Sequence, residues 1–169
     1  MFSSFQAAIA PGHNAGFQQG LYKRTYTGNF NGVTTWFATA TKTATTKIVG
    51  TVADLGIPTT TSYQLLGWFK APYTETFTFT YHTDDKGYLW VGSNALDANF
   101  AAGNALITTD VSTVTGTIAL TKGQFYAIRM QVGNGLGDGI IELSVSSPSL
   151  SVTQNLTGLT FFNPNTQGI

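Results

Sequence analysis

The chain has no cysteine among its 169 residues. Disulfides, zinc–thiolate centres and thiol nucleophiles are therefore excluded, and the redox compartment is left open. Charge is nearly as scarce: Asp, Glu, Lys and Arg make up 9% of the residues, against about 25% in an average soluble domain. Eight basic and eight acidic residues cancel, and the basic ones lie singly or as Lys23-Arg24. No basic stripe is on offer to nucleic acid, which is not expected as a partner. No run approaches the roughly 20 apolar residues of a membrane span. The opening residues, Met1-Phe2-Ser3-Ser4-Phe5-Gln6, carry neither a basic stretch nor a long apolar core, and do not read as a secretory signal. Helical periodicity is hard to find anywhere.

What is present is hydrophobic and aromatic. These classes reach 42% and 13%, enough for a packed core in a single domain of this length. The missing surface charge is replaced by Thr, Ser, Asn, Gln and Gly. Such a neutral, hydrogen-bonding surface suits shell or adhesin proteins better than cytosolic enzymes.

The dominant pattern is short alternation broken by Gly, Pro, Asn and Asp. From Glu75 to His82, Phe77, Phe79 and Tyr81 alternate with Thr76, Thr78 and Thr80, giving one aromatic and one hydroxylated face. Tyr88 to Val91 follows, ended by Gly92. Val114 to Leu120, Phe125 to Val132 and Ile140 to Val145 alternate in turn. A spacing of roughly ten residues between strands, with turn signals between them, is that of a sandwich or a barrel. The expected fold is all-β: an antiparallel, jelly-roll-like β-sandwich with long loops at one end. Residues 93–110 lack a pattern and read as a long loop or small excursion. The chain divides into an N-terminal arm over 1–19, the sandwich over 20–150, and a C-terminal strand and tail over 151–169. In that tail, Phe161-Phe162 either closes the sandwich or docks onto a neighbour.

Only eight acids are present, and two are adjacent: Asp84 and Asp85, at the end of the aromatic strand. In an ordinary strand, neighbouring side chains point to opposite faces. The pair then cannot flank one bond as the two carboxylates of a glycosidase must. A distorted peptide between them, for example a cis one, lets both share a ligand. A hard divalent cation such as calcium, which takes 6–8 oxygen ligands, accounts for two carboxylates held together. A second loop offers further oxygens. Gly133-Asn134-Gly135-Leu136-Gly137-Asp138-Gly139 has four glycines in seven residues, which frees its carbonyls to turn towards an ion. Asn134 adds an amide oxygen, and Asp138 a carboxylate or carbonyl. Taken one at a time, the two segments also read as a solvated turn and a flexible hairpin loop. Lys86, directly after the acids, is compatible with an ion only if its ammonium points away.

Several other residues are weighed and set aside. Trp68 and Trp90 read as core. Trp36, near Asn29, Asn31 and Gly32, and Asn94 and Asp97, just after the Trp90 strand, are candidates for a sugar cleft. His82 reads as a surface group beside the acids, and His13 has no evident partner. No Gly-x-Ser-x-Gly elbow and no phosphate-binding glycine loop occurs, and the chain is not expected to be an enzyme.

The block Gly67-Trp68-Phe69-Lys70-Ala71-Pro72-Tyr73-Thr74, then Phe77-Thr78-Phe79, Asp84-Asp85 and Tyr88-Leu89-Trp90-Val91-Gly92, resembles the domain named after anthrax protective antigen and its fungal relatives, the flocculin, epithelial-adhesin and GLEYA lectin domains. Tyr126 to Val132 followed by Asn134 resembles the later strand and second loop of that family, and Gly20-Leu21-Tyr22 its opening. The resemblance spans about residues 16–148. It implies a cis peptide joining Asp84 and Asp85, with both carboxylates binding Ca2+. It also implies further ligands from the Asn134 side chain and the carbonyls of Leu136 and Asp138, and a glycan completing the shell through two hydroxyls. Asp84, Asn134, Asp97 and Trp36 are the corresponding candidates for sugar contact. The expected function is a calcium-dependent lectin or adhesin-like module, on a virion surface or at a cell surface. The alternative is a minor capsid or spike component that uses the fold for assembly, its apolar arms (Phe2, Phe5; Phe161, Phe162) gripping neighbours.

Overall fold

The computed structural model describes residues 17–48, 52–53, 55–153 and 161–164. Among these, the regular structure is eleven β-strands and a few 3-10 turns. The strands are β1 Phe17–Gln19, β2 Leu21–Thr27, β3 Lys42–Ile48, β4 Leu55–Ile57, β5 Thr61–Lys70, β6 Glu75–Val91, β7 Ile107–Leu120, β8 Phe125–Asn134, β9 Gly139–Ser147, β10 Leu150–Thr153 and β11 Phe161–Pro164. Every pairing is antiparallel. The all-β sandwich expected from the alternation is what forms.

Its two layers share one strand. The 17-residue β6 pairs with β9 over Thr78–Asp84 and with β8 over Gly87–Val91. β7 follows β6 along its length, with a register shift between Thr83 and Lys86. One layer is thus β7, β6, β9 and β10 with the short β4. The other is the start of β7 with the second half of β6, then β8, β5 and, beyond β5, both β2 with β3 and β11 with β1. The change of layer falls at Asp84-Asp85. The sequence pattern reads β6 as two separate strands because its alternation breaks there; the backbone carries on through the break.

Between the layers lies the main core. Phe77, Phe79 and Tyr81 of β6, Leu65 and Phe69 of β5, Ile128, Met130 and Val132 of β8, and Ile141, Leu143 and Val145 of β9 are all buried. Phe69 lies edge-on to both Phe77 and Phe79, with centroids 5.6 and 5.4 Å apart, the geometry that the ring quadrupoles favour.

The second layer is buried on its outer face too, so β5 is buried without a break from Ser62 to Phe69 and its sequence does not alternate. Leu66, Trp68, Tyr88, Trp90 and Ala127 face outward there. They are covered by Tyr26, Phe30, Phe37 and Ala95 from β2 and two long connections. One connection runs over 28–41. The other, over 92–106, contains two 3-10 turns, Gly92–Ala95 and Ala102–Asn104. Trp90, fully buried, donates its indole N–H to Ala101 O at 2.9 Å and Asn104 Oδ1 at 3.1 Å. Trp68 and Trp90 are core, as the apolar context indicates. Residues 107–110, read from sequence as loop, are already strand.

At the termini, β11 pairs with Trp68 and Phe69 of β5, and β1 pairs with β11. The backbone of 161–164 therefore adds a strand to the sheet. Residues 17–19, read as arm, join the same sheet edge. Phe2, Phe5 and His13 lie outside the described residues.

Phe79→Ala, which empties the centre of this core, is expected to lower unfolding free energy by about 3–5 kcal/mol, measured by urea denaturation.

Candidate functional site

The break in β6 and the end of β8 lie side by side. The peptide between Asp84 and Asp85 is cis. Thr83 Oγ1 donates to Asp85 O at 2.7 Å, and Asp85 Oδ2 accepts the backbone N–H of Gly135 at 2.8 Å. The acid pair and the glycine-rich loop are thus joined directly, although 50 residues separate them. Across the same gap, a Cβ added to Gly139 would stand 2.6 Å from Asp84 O and 2.8 Å from Asn134 Cγ. Asp84, Asn134 and Gly139 therefore converge, and only a residue without a side chain fits between them.

Asn134 is fully buried. Its Nδ2 donates to Ile57 O at 2.7 Å and Gly137 O at 2.9 Å. Its Oδ1 is also buried, with no hydrogen-bond partner. A buried amide oxygen left unpaired costs free energy on the order of 1–3 kcal/mol. With both amide protons already committed to carbonyls, that oxygen faces away from them and is open to a donor or a cation.

The loop beyond Asn134 has two distinct sides. Gly137 O accepts from Thr59 Oγ1 at 2.7 Å, and Gly135 O from Thr60 Oγ1 at 3.5 Å. Leu136 and Asp138 occupy the alternate positions, and both are exposed. The Leu136 side chain, 86% exposed, stands at the loop tip. Asn29 forms the third wall. A Cβ at Gly135 would lie 2.9 Å from Asn29 Nδ2 and 3.4 Å from Asp85 Oδ2, while Asn29 Oδ1 accepts from Asn31 N at 3.0 Å.

Asp84 is held above its ordinary carboxylate value, mainly by burial, then by hydrogen bonding and repulsion from Asp85, with Asp110 adding to this and His82 opposing it. Lys86 does leave the site: its stem passes Gly32 and its ammonium lies 3.5 Å from Asp110 Oδ2. His82 faces outward, with Nδ1 3.1 Å from Glu142 Oε2. Among the described residues no group of three or more His, Cys, Asp or Glu is placed to hold a metal. The oxygen set here is two carboxylates, one amide and backbone carbonyls, the kind of donor calcium accepts.

The remaining sequence candidates are elsewhere. Asp97 receives a hydrogen bond from Arg129 Nη2. Trp36 is half-buried on the 28–41 connection, packed edge-on against Phe37 at 5.2 Å and Tyr26 at 6.1 Å. Asn29, Thr59 and Thr60 escape a sequence reading because each lies more than 70 residues from the loop it supports; a polar residue beside a glycine-rich turn is too common a signal to single them out.

A family model described as the GLEYA domain matches residues 61–147, just over half of the chain, and the chain belongs to that family. No curated protein sequence matches it. Among solved structures, the epithelial adhesin 6 A domain from Candida glabrata, in complex with Galβ1-3GlcNAc, superposes with a TM-score of 0.74 at 17% identity, covering 95% of this chain and 91% of the adhesin chain. The epithelial adhesin 9 A domain of the same organism, in complex with Galβ1-4GlcNAc, gives 0.73 at 13% identity over 90% and 92%. A PA14 sugar-binding domain from an RTX adhesin gives 0.65 at 13% identity over 86% and 98%. At these identities the likeness to solved structures is one of fold.

Gly139→Ala is expected to force Asp84 and Asn134 apart and cost about 1–3 kcal/mol of stability. A chemical-denaturation midpoint equal to that of the unaltered chain would show that the two segments are not in contact.

Proposed function

We propose that the chain is a calcium-dependent glycan-binding module displayed at a virion or cell surface. The observation that carries this reading is the buried, unpartnered Asn134 Oδ1, beside an acid pair that is itself fixed by the next residue of the same loop. In this reading the Asp84 and Asp85 carboxylates, Asn134 Oδ1 and the carbonyls of Leu136 and Asp138 hold the ion. Such a set supplies about five of seven coordination positions and leaves two for neighbouring hydroxyls of a sugar. Bound calcium would supply the positive centre for those hydroxyls. The protein's own part is to fix the Asp85 carboxylate on the Gly135 N–H and keep the Lys86 ammonium away on Asp110.

Family membership and the glycan complexes of structurally similar adhesin domains support the same reading. The assembly alternative finds less support on the described residues, because the backbone edge of 161–164 is taken up within the domain.

Two measurements test the proposal. Calorimetric titration should show one calcium bound per chain, with Asp84→Ala or Asp85→Ala weakening it at least tenfold, and glycan-array binding should vanish with chelator. Unchanged calcium affinity in Asp84→Ala sinks the site assignment; glycan binding that survives chelation sinks the calcium dependence.

The second concerns pH. A carboxyl whose folded value is raised binds its proton more tightly when folded, so it favours the folded state as pH falls towards that value and opposes it above. In chelator, Asp84→Asn should therefore melt higher than the unaltered chain at pH 7, and the gap should close as pH falls into the carboxylate range. With calcium the order reverses, because the ion requires the ionised acid.

A further inference from the structure

The sequence contains two arginines, Arg24 and Arg129, and both line one cavity of about 290 Å³. It lies on the outer face of the second layer, between the 28–41 and 92–106 connections. It is separate from the acid-pair site. Arg129 precedes Asn134 by five residues on β8, roughly 17 Å along an extended strand, and the two have opposite parity, so they project from opposite faces of the sheet. Arg24 pairs with Gln64, and Leu66 with Arg129, in the register of β2, β5 and β8. All four share that outer face.

Arg129 is held in a fixed orientation. Its side chain is 2% exposed. Nε donates to Ala95 O at 2.8 Å, Nη2 donates to Asp97, and the guanidinium lies 3.9 Å over the Phe100 ring. Arg24, half-buried, donates from Nη1 to Gln64 Oε1 at 3.4 Å. Burial pushes the Arg129 guanidinium below its ordinary value, with Asp97 opposing and Arg24 reinforcing this. In a chain of so few charges, two guanidinium groups face one cavity with a single carboxylate between them. Among the described residues that line it, positive charge exceeds negative by one.

We propose that this cavity is a second binding site, independent of calcium, for a small hydroxylated carboxylate of the acidic-monosaccharide class. The carboxylate faces Arg24 and Arg129, and the ring hydroxyls face Asp97 and Gln64. A planar carboxylate matches a guanidinium fork; with Nε and Nη2 of Arg129 committed to Ala95 and Asp97, that fork is Arg24's, and Arg129 adds its charge. One excess positive charge suits a monoanion, and the Asp97 carboxylate disfavours a dianion while accepting hydroxyl protons. Phe37 and Phe100 offer apolar walls to the C–H faces of a ring. The volume sits at the small end of the range for ligand sites and suits one six-membered ring.

The test is titration of the full chain in EDTA with sodium glucuronate, glucose and inorganic phosphate, followed by calorimetry or amide NMR shifts. Glucuronate should bind saturably, glucose and phosphate at least tenfold more weakly. Arg24→Gln should weaken glucuronate at least tenfold, while its calcium titration at the other site matches the unaltered chain and so reports a folded protein. Should Arg24→Gln fail to fold, Thr35→Trp, on the exposed rim of the cavity, blocks the mouth without altering β2 and should weaken glucuronate equally. Absence of saturation, equal binding of glucose or phosphate, or full glucuronate affinity in either folded variant overturns the proposal.

Discussion

The site depends on one backbone hydrogen bond, from Gly135 N–H to the Asp85 carboxylate. It ties the end of β8 to the break in β6, and everything else at that end of the sandwich is arranged around it. Gly139 allows the close approach of Asp84 and Asn134. Thr59 and Thr60 hold the loop from behind through the Gly137 and Gly135 carbonyls. Asn134 spends both amide protons on Ile57 and Gly137 and so fixes which way its oxygen faces. The loop is rich in glycine yet bounded on three sides, and its orientation is settled before any ligand arrives. Preorganisation of this kind spares a ligand the ordering cost of the groups that receive it.

The same break has a second role in the architecture. β6 belongs to both layers and changes allegiance from β9 to β8 at the acid pair. Its aromatic first half fills the inter-layer core, and its second half, through Tyr88 and Trp90, fills the outer cluster. Neither layer can lose β6 without exposing the apolar residues of the other, so the two clusters are parts of one cooperative unit. The chemistry sits where the strand crosses over because that is where the ladder is interrupted and polar groups escape regular pairing.

Much of the fold was legible because alternation is a direct image of a strand with one buried face. Phe77, Phe79 and Tyr81 declared theirs, as did Ile128, Met130 and Val132. The first half of the chain was less readable. β2 and β3 carry Lys23, Arg24 and Thr45 on half-exposed positions and Thr46 on an exposed one, which dilute the pattern, and β5 is buried on both faces, which erases it. At the site, Asp84, Asp85 and Asn134 stood out, since adjacent like charges and clustered glycines are unusual in a chain so poor in charge. Their contact across 50 residues could not be read from spacing; it needed the register of β6 on β8. Asp97 was noticed for its position after Trp90, but its partner Arg129 lies on another strand, and the parity of β8 sends both to the opposite face. Nothing local marks that destination.

The pairing of Phe17 with Pro164 leaves the first and last described strands as neighbours on one sheet edge. Polypeptide entering at residue 17 and leaving at 164 does so at a single corner. A short linker could therefore join those two points and new ends be opened at the exposed 121–123 turn, giving a circularly permuted chain with the same ladder. By the same geometry, the whole sandwich can be spliced into a surface loop of a host domain without prying the host's flanking residues apart.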